Sequence, residues 1–207
     1  MGQIYDVTAL LHEGTANWPG DTPFSRDVSE RISEGSCMNL SRVEMSLHTG
    51  THMDAPWHYA DSGVGIDEVP LEACLGRALL VSIENVTEVQ VEDVKDVIRK
   101  GPERVLFRFD SQKNADIFRK DFTYFSAEAA RALGEAGVRL IGTDSASVDI
   151  WDSKTLPAHR AFNENSVFLL ENLVLNGVPD GEYELIVLPL RIRGGDGSPV
   201  RAVLRTL

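Results

Sequence analysis

The chain has 207 residues, 43% of them hydrophobic and 25% charged. That is enough apolar material for a core, which excludes a wholly disordered or fibrous chain. Lys and Arg total 20 against 32 Asp and Glu, a net charge of −12, so phosphate backbones and anionic membranes are repelled and are not expected partners.

Taken in chain order, the first residues show no basic region ahead of an apolar stretch, so no secretory signal is expected. No apolar run nears the roughly 18 residues needed to cross a bilayer, and the expected location is the cytoplasm. His12 stands alone and reads as a surface residue. Cys37 and Cys74 form no C-x-x-C pair and read as reduced, buried, inert thiols. Residues 40–47, LSRVEMSL, alternate apolar and polar side chains and predict a half-buried strand. Residues 77–83 and 103–109 are short apolar runs of buried-strand type. Between them, Val91, Val94, Val97 and Ile98 share one face of a predicted helix over 91–99, ended by Gly101 and Pro102. A second helix is predicted over 127–136, with Ser126 as its N-cap and Gly137 as its stop. Further strands are predicted over 138–143, 166–170, 184–192 and 199–205. Each helix lies between strands, so strand–helix–strand crossovers are expected around one mixed sheet, in an α/β or α+β class.

Two further segments read as structural. Asp144, Asp149 and Asp152 are expected to order the loop after a strand. The stretch from Arg193 to Pro199, RGGDGSP, has the glycine content of a phosphate loop but no Lys and no following helix. It reads as a tight turn between the last two strands, in reach of a pocket.

The composition has one anomaly. Of the five histidines, His48, His52 and His58 fall within the eleven residues HTGTHMDAPWH, together with Asp54. Gly50 and Pro56 disfavour a helix there. If the strand of 40–47 ran on, positions 48, 52 and 54 would share one face, because alternate residues of an extended chain point the same way. Pro56 then turns the chain. Imidazole nitrogens and a carboxylate are suitable ligands for Zn²⁺ and related divalent ions. His159 in LPAHR and Glu171 at the end of FLLE have two readings of equal standing. They are either a loop residue and a strand cap, or further groups delivered into the same site.

HTGTHMDAPWH matches the H-x-G-T-H-x-D-x-P-x-H signature of the metal-dependent cyclase family, whose best-known members are bacterial kynurenine formamidases. The segments ANWPGDTPF (16–24), GVRLIGTDSASVD (137–149), DSKTLPAH (152–159) and 183–205 are also similar to that branch, so the resemblance spans nearly the whole chain. It implies an α/β fold in a single domain over 1–207, with a barrel-like mixed sheet and flanking helices. It implies two Zn²⁺ per subunit, with Mn²⁺ or Co²⁺ as substitutes. His48, His52 and Asp54 would hold one ion; Asp54, His159 and Glu171 would hold the other, and Glu171 would contact both. His58 would be the proton donor and acceptor, and Trp18 would line the substrate pocket. The implied reaction is hydrolysis of N-formyl-L-kynurenine, a small aryl formamide, by metal-bound hydroxide in tryptophan breakdown, and the implied assembly is a homodimer. One departure is visible: Arg160 follows His159 where formamidases often have a second His. Alternatives are a cyclic-amide hydrolase of the isatin type and a metal-binding module without catalysis.

Overall fold

Strands covered on both faces organise the molecule, and they explain its continuous apolar runs. The computed structural model describes residues 2–109 and 116–207. In chain order the strands are β1 (Ile4–Asp6), β2 (Ser25–Glu30), β3 (Leu40–Glu44), β4 (His52–Asp54), β5 (Leu75–Ser82), β6 (Glu88–Val89), β7 (Arg104–Arg108), β8 (Tyr124–Phe125), β9 (Leu140–Thr143), β10 (Phe168–Glu171), β11 (Gly181–Pro189) and β12 (Gly197–Thr206). The helices are α1 (Leu71–Cys74), α2 (Val91–Lys100), α3 (Ala127–Glu135) and α4 (Pro157–Glu164).

The main sheet runs β1-β12-β11-β5-β7-β9-β10-β4. β4 pairs antiparallel with β10 on one edge and with the start of β12 on the other, through Gly197↔Asp54 and Pro199↔His52. The sheet therefore closes into a barrel, with β1 outside the ring. β5, β7, β9 and β10 run parallel. α2, α3 and α4 lie in the crossovers between them, as parallel neighbours require. Leu80, Leu106, Leu140 and Leu170 fill the barrel with Met53, Leu185 and Leu204. Val105, Phe107, Ile141 and Leu169 pack outward into a second core with Val94, Leu133 and Phe162 of the helices. Both faces of β7, β9 and β10 are largely covered, so most of their positions are apolar.

Local chemistry sets the helix ends as expected. Gln90 N donates to the Asp93 carboxylate at 2.8 Å as part of a capping box, and Gly101 ends α2 in the left-handed region. Ala129 N donates to Ser126 Oγ at 3.1 Å to open α3.

Other expectations are corrected. Residues 40–47 do not run on into the histidine segment. β3 stops at Glu44, pairs with β2, and is exposed along its length. The hairpin stands off the barrel, so Leu40 and Val43 alternate without burying anything. The chain then turns through 48–51, with Gly50 at φ 65, before β4 begins. His48 is thus in a turn, and only His52 and Asp54 share a strand face. Cys74 is buried but Cys37, between β2 and β3, is exposed; both are free thiols. β11 ends at Pro189 and β12 begins at Gly197, so a longer loop replaces the tight turn.

α4 has no counterpart in the sequence reading. Its N-cap residue, Leu156, makes no side-chain cap. Instead Ala158 N and His159 N donate to Asp149 at 2.9 and 3.1 Å. A cap delivered from an upstream loop leaves no mark in the local pattern. Among the described residues no helix is long and apolar enough to cross a membrane.

The turn before β4 requires glycine. A Cβ on Gly50 would lie 2.6 Å from Leu11 Cδ2, on a backbone at φ 65. Gly50→Ala should lower the unfolding free energy by about 1–3 kcal/mol in a urea titration. Gly101→Ala, at φ 63 with nothing near its Cβ, should carry the backbone strain alone, about 1 kcal/mol.

Candidate metal centre

β4 and β10 lie antiparallel, with His52 opposite Glu171 and Asp54 opposite Leu169. Met53 and Leu170 belong to the barrel interior. Alternation therefore sends His52, Asp54 and Glu171 to the outer face. α4 crosses that face and contributes His159 from its buried side. The turn ahead of β4 supplies His48, and the short 3₁₀ turn Pro56–His58 supplies His58. The structure thus brings together His48, His52, Asp54, His58, His159 and Glu171, and His159 is a buried helical residue rather than a loop residue.

The inner atoms converge on two carboxylates. Asp54 Oδ1 is 3.0 Å from His48 Nδ1 and 3.3 Å from His52 Nε2, while Asp54 Oδ2 is 3.3 Å from His159 Nε2. Glu171 Oε2 is 3.5 Å from His52 Nε2, and its Oε1 is 3.6 Å from His159 Nε2. Both carboxylates straddle the cluster, one oxygen to each side.

The outer nitrogens are anchored. His52 Nδ1 donates to Gly50 O at 2.9 Å, His159 Nδ1 to Asp149 Oδ2 at 2.6 Å, and His48 Nε2 to Asp196 Oδ2 at 3.1 Å. Each acceptor is a carbonyl or carboxylate oxygen, so each outer nitrogen must carry the proton. The inner nitrogen of a neutral ring is then a bare lone pair aimed at carboxylate oxygens, a repulsive arrangement unless a proton or a cation lies between. Buried His52 Nε2 and Asp54 Oδ2 lack hydrogen-bond partners, as does the Tyr59 hydroxyl at the edge of the site. Anchored imidazoles around shared carboxylates are the donor set and the supporting shell that a divalent cation uses. His48, Asp54 and His58, and likewise His52, Asp54 and Glu171, bring ligand atoms within 4.8 Å of one another.

The electrostatics agree. Burial alone would raise the Asp54 carboxyl, but His159, His48 and His52 outweigh it and hold it well below the usual carboxylate range. Burial, then the charge of Asp54, pushes Glu171 up to about 8. Burial disfavours the charged imidazole of His48, yet Asp54 and Asp196 push it up to about 9. His159 is likewise pushed up to about 10 against its burial, by Asp149, Asp54 and Glu171. His58 is held below its ordinary value, first by burial, and then by His48 and His159 against the pull of Asp54.

A cavity of about 430 Å³ opens onto this cluster, lined by Trp18, Asp21, His48, His58, Phe118 and Leu156 among others. The Trp18 indole stands edge-on to Phe118, with ring centres 5.2 Å apart. Arg160 is exposed on α4 and is not among the described residues lining the cavity. His12 lies outside the site and meets Asp116 at 2.8 Å. The sequence reading passed over two residues that touch the cluster. Asp149 does order its loop, but it also anchors His159. Asp196 lies in the glycine-flanked turn and anchors His48. The available signal was an acidic residue beside a structural break, and nothing in it specifies a histidine partner far along the chain.

A closed barrel whose outer wall carries a His/Asp/Glu cluster under a crossover helix defines the class. The family model described as "Putative cyclase" matches residues 5–150, and the chain belongs to this cyclase family. Kynurenine formamidase of Bacillus cytotoxicus is 41% identical over 202 residues, covering 98% of this chain and 97% of the relative. Kynurenine formamidase of Bacillus cereus strain ATCC 14579 is 40% identical with the same coverage. Among solved structures, one described as a "potential metal-dependent hydrolase with cyclase activity" superimposes with a TM-score of 0.87 at 27% identity, covering 100% of this chain and 99% of the other. Isatin hydrolase A from Labrenzia aggregata has the same fold, with a TM-score of 0.83 at 24% identity and coverage of 99% and 93%.

Without a cation, His48, His159 and Glu171 hold protons at pH 7 that a metal must displace. Zn²⁺ binding to metal-free protein should therefore release protons, and apparent affinity should rise with pH between about 6 and 8. Titration calorimetry in buffers of different ionisation heat measures both. Asp149→Ala should weaken Zn²⁺ binding by about 10–100-fold in a chelator competition, because His159 loses its anchor.

Proposed function

We propose that the chain is an arylformamidase that hydrolyses N-formyl-L-kynurenine to L-kynurenine and formate, as a step of tryptophan breakdown in the cytoplasm. The reading is carried by one arrangement. The anchored donor cluster, His58 and the Trp18 indole share a single cavity, in a chain 40% identical to kynurenine formamidases over nearly its whole length.

The donors suit Zn²⁺, two ions per subunit, and Mn²⁺ or Co²⁺ accept the same set. His48, His52 and Asp54 would hold one ion. Asp54, His159 and Glu171 would hold the second, with Glu171 reaching both. When bound, such ions act as Lewis acids towards the formyl group and lower the pKa of water. The remaining chemistry belongs to the chain. Its burial leaves His58 neutral at pH 7, so it can take a proton from the attacking water and deliver it to the anilide nitrogen as the C–N bond breaks. The water oxygen joins the formyl carbon, giving formate and a free aromatic amine. Trp18 offers its indole to the aryl ring, beside Phe118. Ile32, Met38, Leu40 and Val43 of the hairpin region are exposed, which supports a self-associating face and a homodimer.

Purified protein loaded with Zn²⁺ should convert N-formylkynurenine to kynurenine, followed by absorbance, and a chelator should abolish turnover. A fully loaded protein inert towards formamides, or one that prefers isatin, would overturn the reading. His58→Ala should lower kcat by about 10²–10⁴-fold with metal content unchanged; wild-type kcat in that variant would remove the proton-carrying role. Sedimentation should give twice the 22.8 kDa chain mass, and a monomer would refute the dimer.

A further inference from the structure

Asp196 has no part in the reaction as described, yet the barrel closure holds it at the centre. Its carbonyl accepts from Ala55 N at 2.9 Å, and the next residue, Gly197, pairs with Asp54 across β12 and β4. The backbone is therefore locked beside the strand that bears His52 and Asp54. From there a single oxygen, Oδ2, lies 3.1 Å from His48 Nε2 and 3.7 Å from His58 Nδ1. The two rings lie against each other, with centres 4.1 Å apart and planes tilted by 38°. Gly197 makes the approach possible, since a Cβ there would be 2.9 Å from His48 Cε1.

We infer that Asp196 is a positioning residue that fixes two imidazoles at once: it holds the proton of His48 on Nε2 and that of His58 on Nδ1. A carboxylate oxygen can only accept, so the nitrogen facing it is the one that carries hydrogen. His48 Nδ1 faces a carboxylate too, Asp54 Oδ1 at 3.0 Å; a cation bound between those two would displace the proton there, and the one that Asp196 accepts would stay on Nε2, as a metal ligand needs. His58 is left with a bare Nε2, as a base needs. The logic is that of a carboxylate orienting a catalytic imidazole, with one carboxylate serving a ligand and a base together. At 3.7 Å the contact to His58 is longer than a hydrogen bond, so its hold on that neutral ring is the attraction of a carboxylate for the N–H dipole, while His48 is held by a hydrogen bond.

The catalytic half of this inference rests on the proposed formamidase reading; the tautomer half does not. The test compares wild type with Asp196→Ala and Asp196→Asn. Long-range ¹H–¹⁵N spectra of the Zn²⁺-loaded proteins report which ring nitrogens carry hydrogen, and chelator competition reports Zn²⁺ affinity. Wild type should show His48 protonated on Nε2 and His58 on Nδ1. Asp196→Ala should lose the single-tautomer pattern of His58 and weaken Zn²⁺ binding by about 10–100-fold. Its kcat for N-formylkynurenine should fall by at least about tenfold with KM within about twofold, since orientation rather than substrate contact is lost. Asp196→Asn keeps an acceptor oxygen and should recover most of the Zn²⁺ affinity; it also carries the test if the alanine variant fails to fold. Wild-type imidazole spectra and Zn²⁺ affinity in Asp196→Ala would overturn the assignment. If wild type hydrolyses no formamide, the functional reading fails, while the spectra and affinities still decide the role of Asp196.

Discussion

Three residues, His52 to Asp54, are paired along both edges at once. β10 lies on one side of them and the start of β12 on the other. This double pairing closes the barrel, and it leaves β4 no freedom to slip. A shift of one residue would turn Met53 out of the core and carry His52 and Asp54 into it, burying a charge among leucines. The register that satisfies the core is thus the register that builds the site. The same pairing sets Glu171 opposite His52 and brings Asp196 alongside, so three of the carboxylates around the cluster take their places from one short strand.

The electrostatic consequence follows from burial. Asp54 and Glu171 are both nearly inaccessible and share the same histidine neighbours. Two carboxylates so close cannot both stay charged without positive charge between them. In the bare protein that charge is carried by protons on His48 and His159 and by the proton that Glu171 retains. Divalent cations would replace those protons with compact positive charge, held by the lone pairs that the outer anchors have aimed inward. The fold therefore holds together a polar cluster that is incomplete by itself, and the incompleteness is what equips it to bind metal. His58 differs from its neighbours because no carboxylate touches it at hydrogen-bond distance. Burial therefore keeps its pKa below the ordinary value, which fits the proton-carrying role proposed for it.

The position of α4 shows how the two levels of structure interlock. Asp149 caps the helix through its backbone amides and anchors the His159 ring with the same carboxylate. Helix placement and the orientation of the His159 ring are thus a single event. Asp196 repeats the pattern at the opposite edge, where the backbone closes the barrel and the side chain meets His48. In both places the site is held by groups that also hold the fold, which ties the accuracy of the cluster to the stability of the barrel.

How much was legible in the sequence follows from the range of the forces involved. The buried strands, α2 and α3 are read from periodicity and from capping residues within a few positions, such as Ser126 and Gly101. The candidate ligands His48, His52 and Asp54 are read from a dense local motif, because short spacing leaves few ways to keep such residues apart. His159 and Glu171 remained ambiguous, since their meaning depends on a helix crossing a strand. The exposure of β3 was unreadable, because alternation reports two faces and not whether anything packs on either. Asp149 and Asp196 were visible only as acidic residues in loops. The sequence by itself determined most of the buried strands, the helices α2 and α3, and the chemistry of the central motif. Only the tertiary structure decided which distant carboxylates face which histidines, because hydrogen bonds act over about 3 Å between groups that chain spacing leaves far apart.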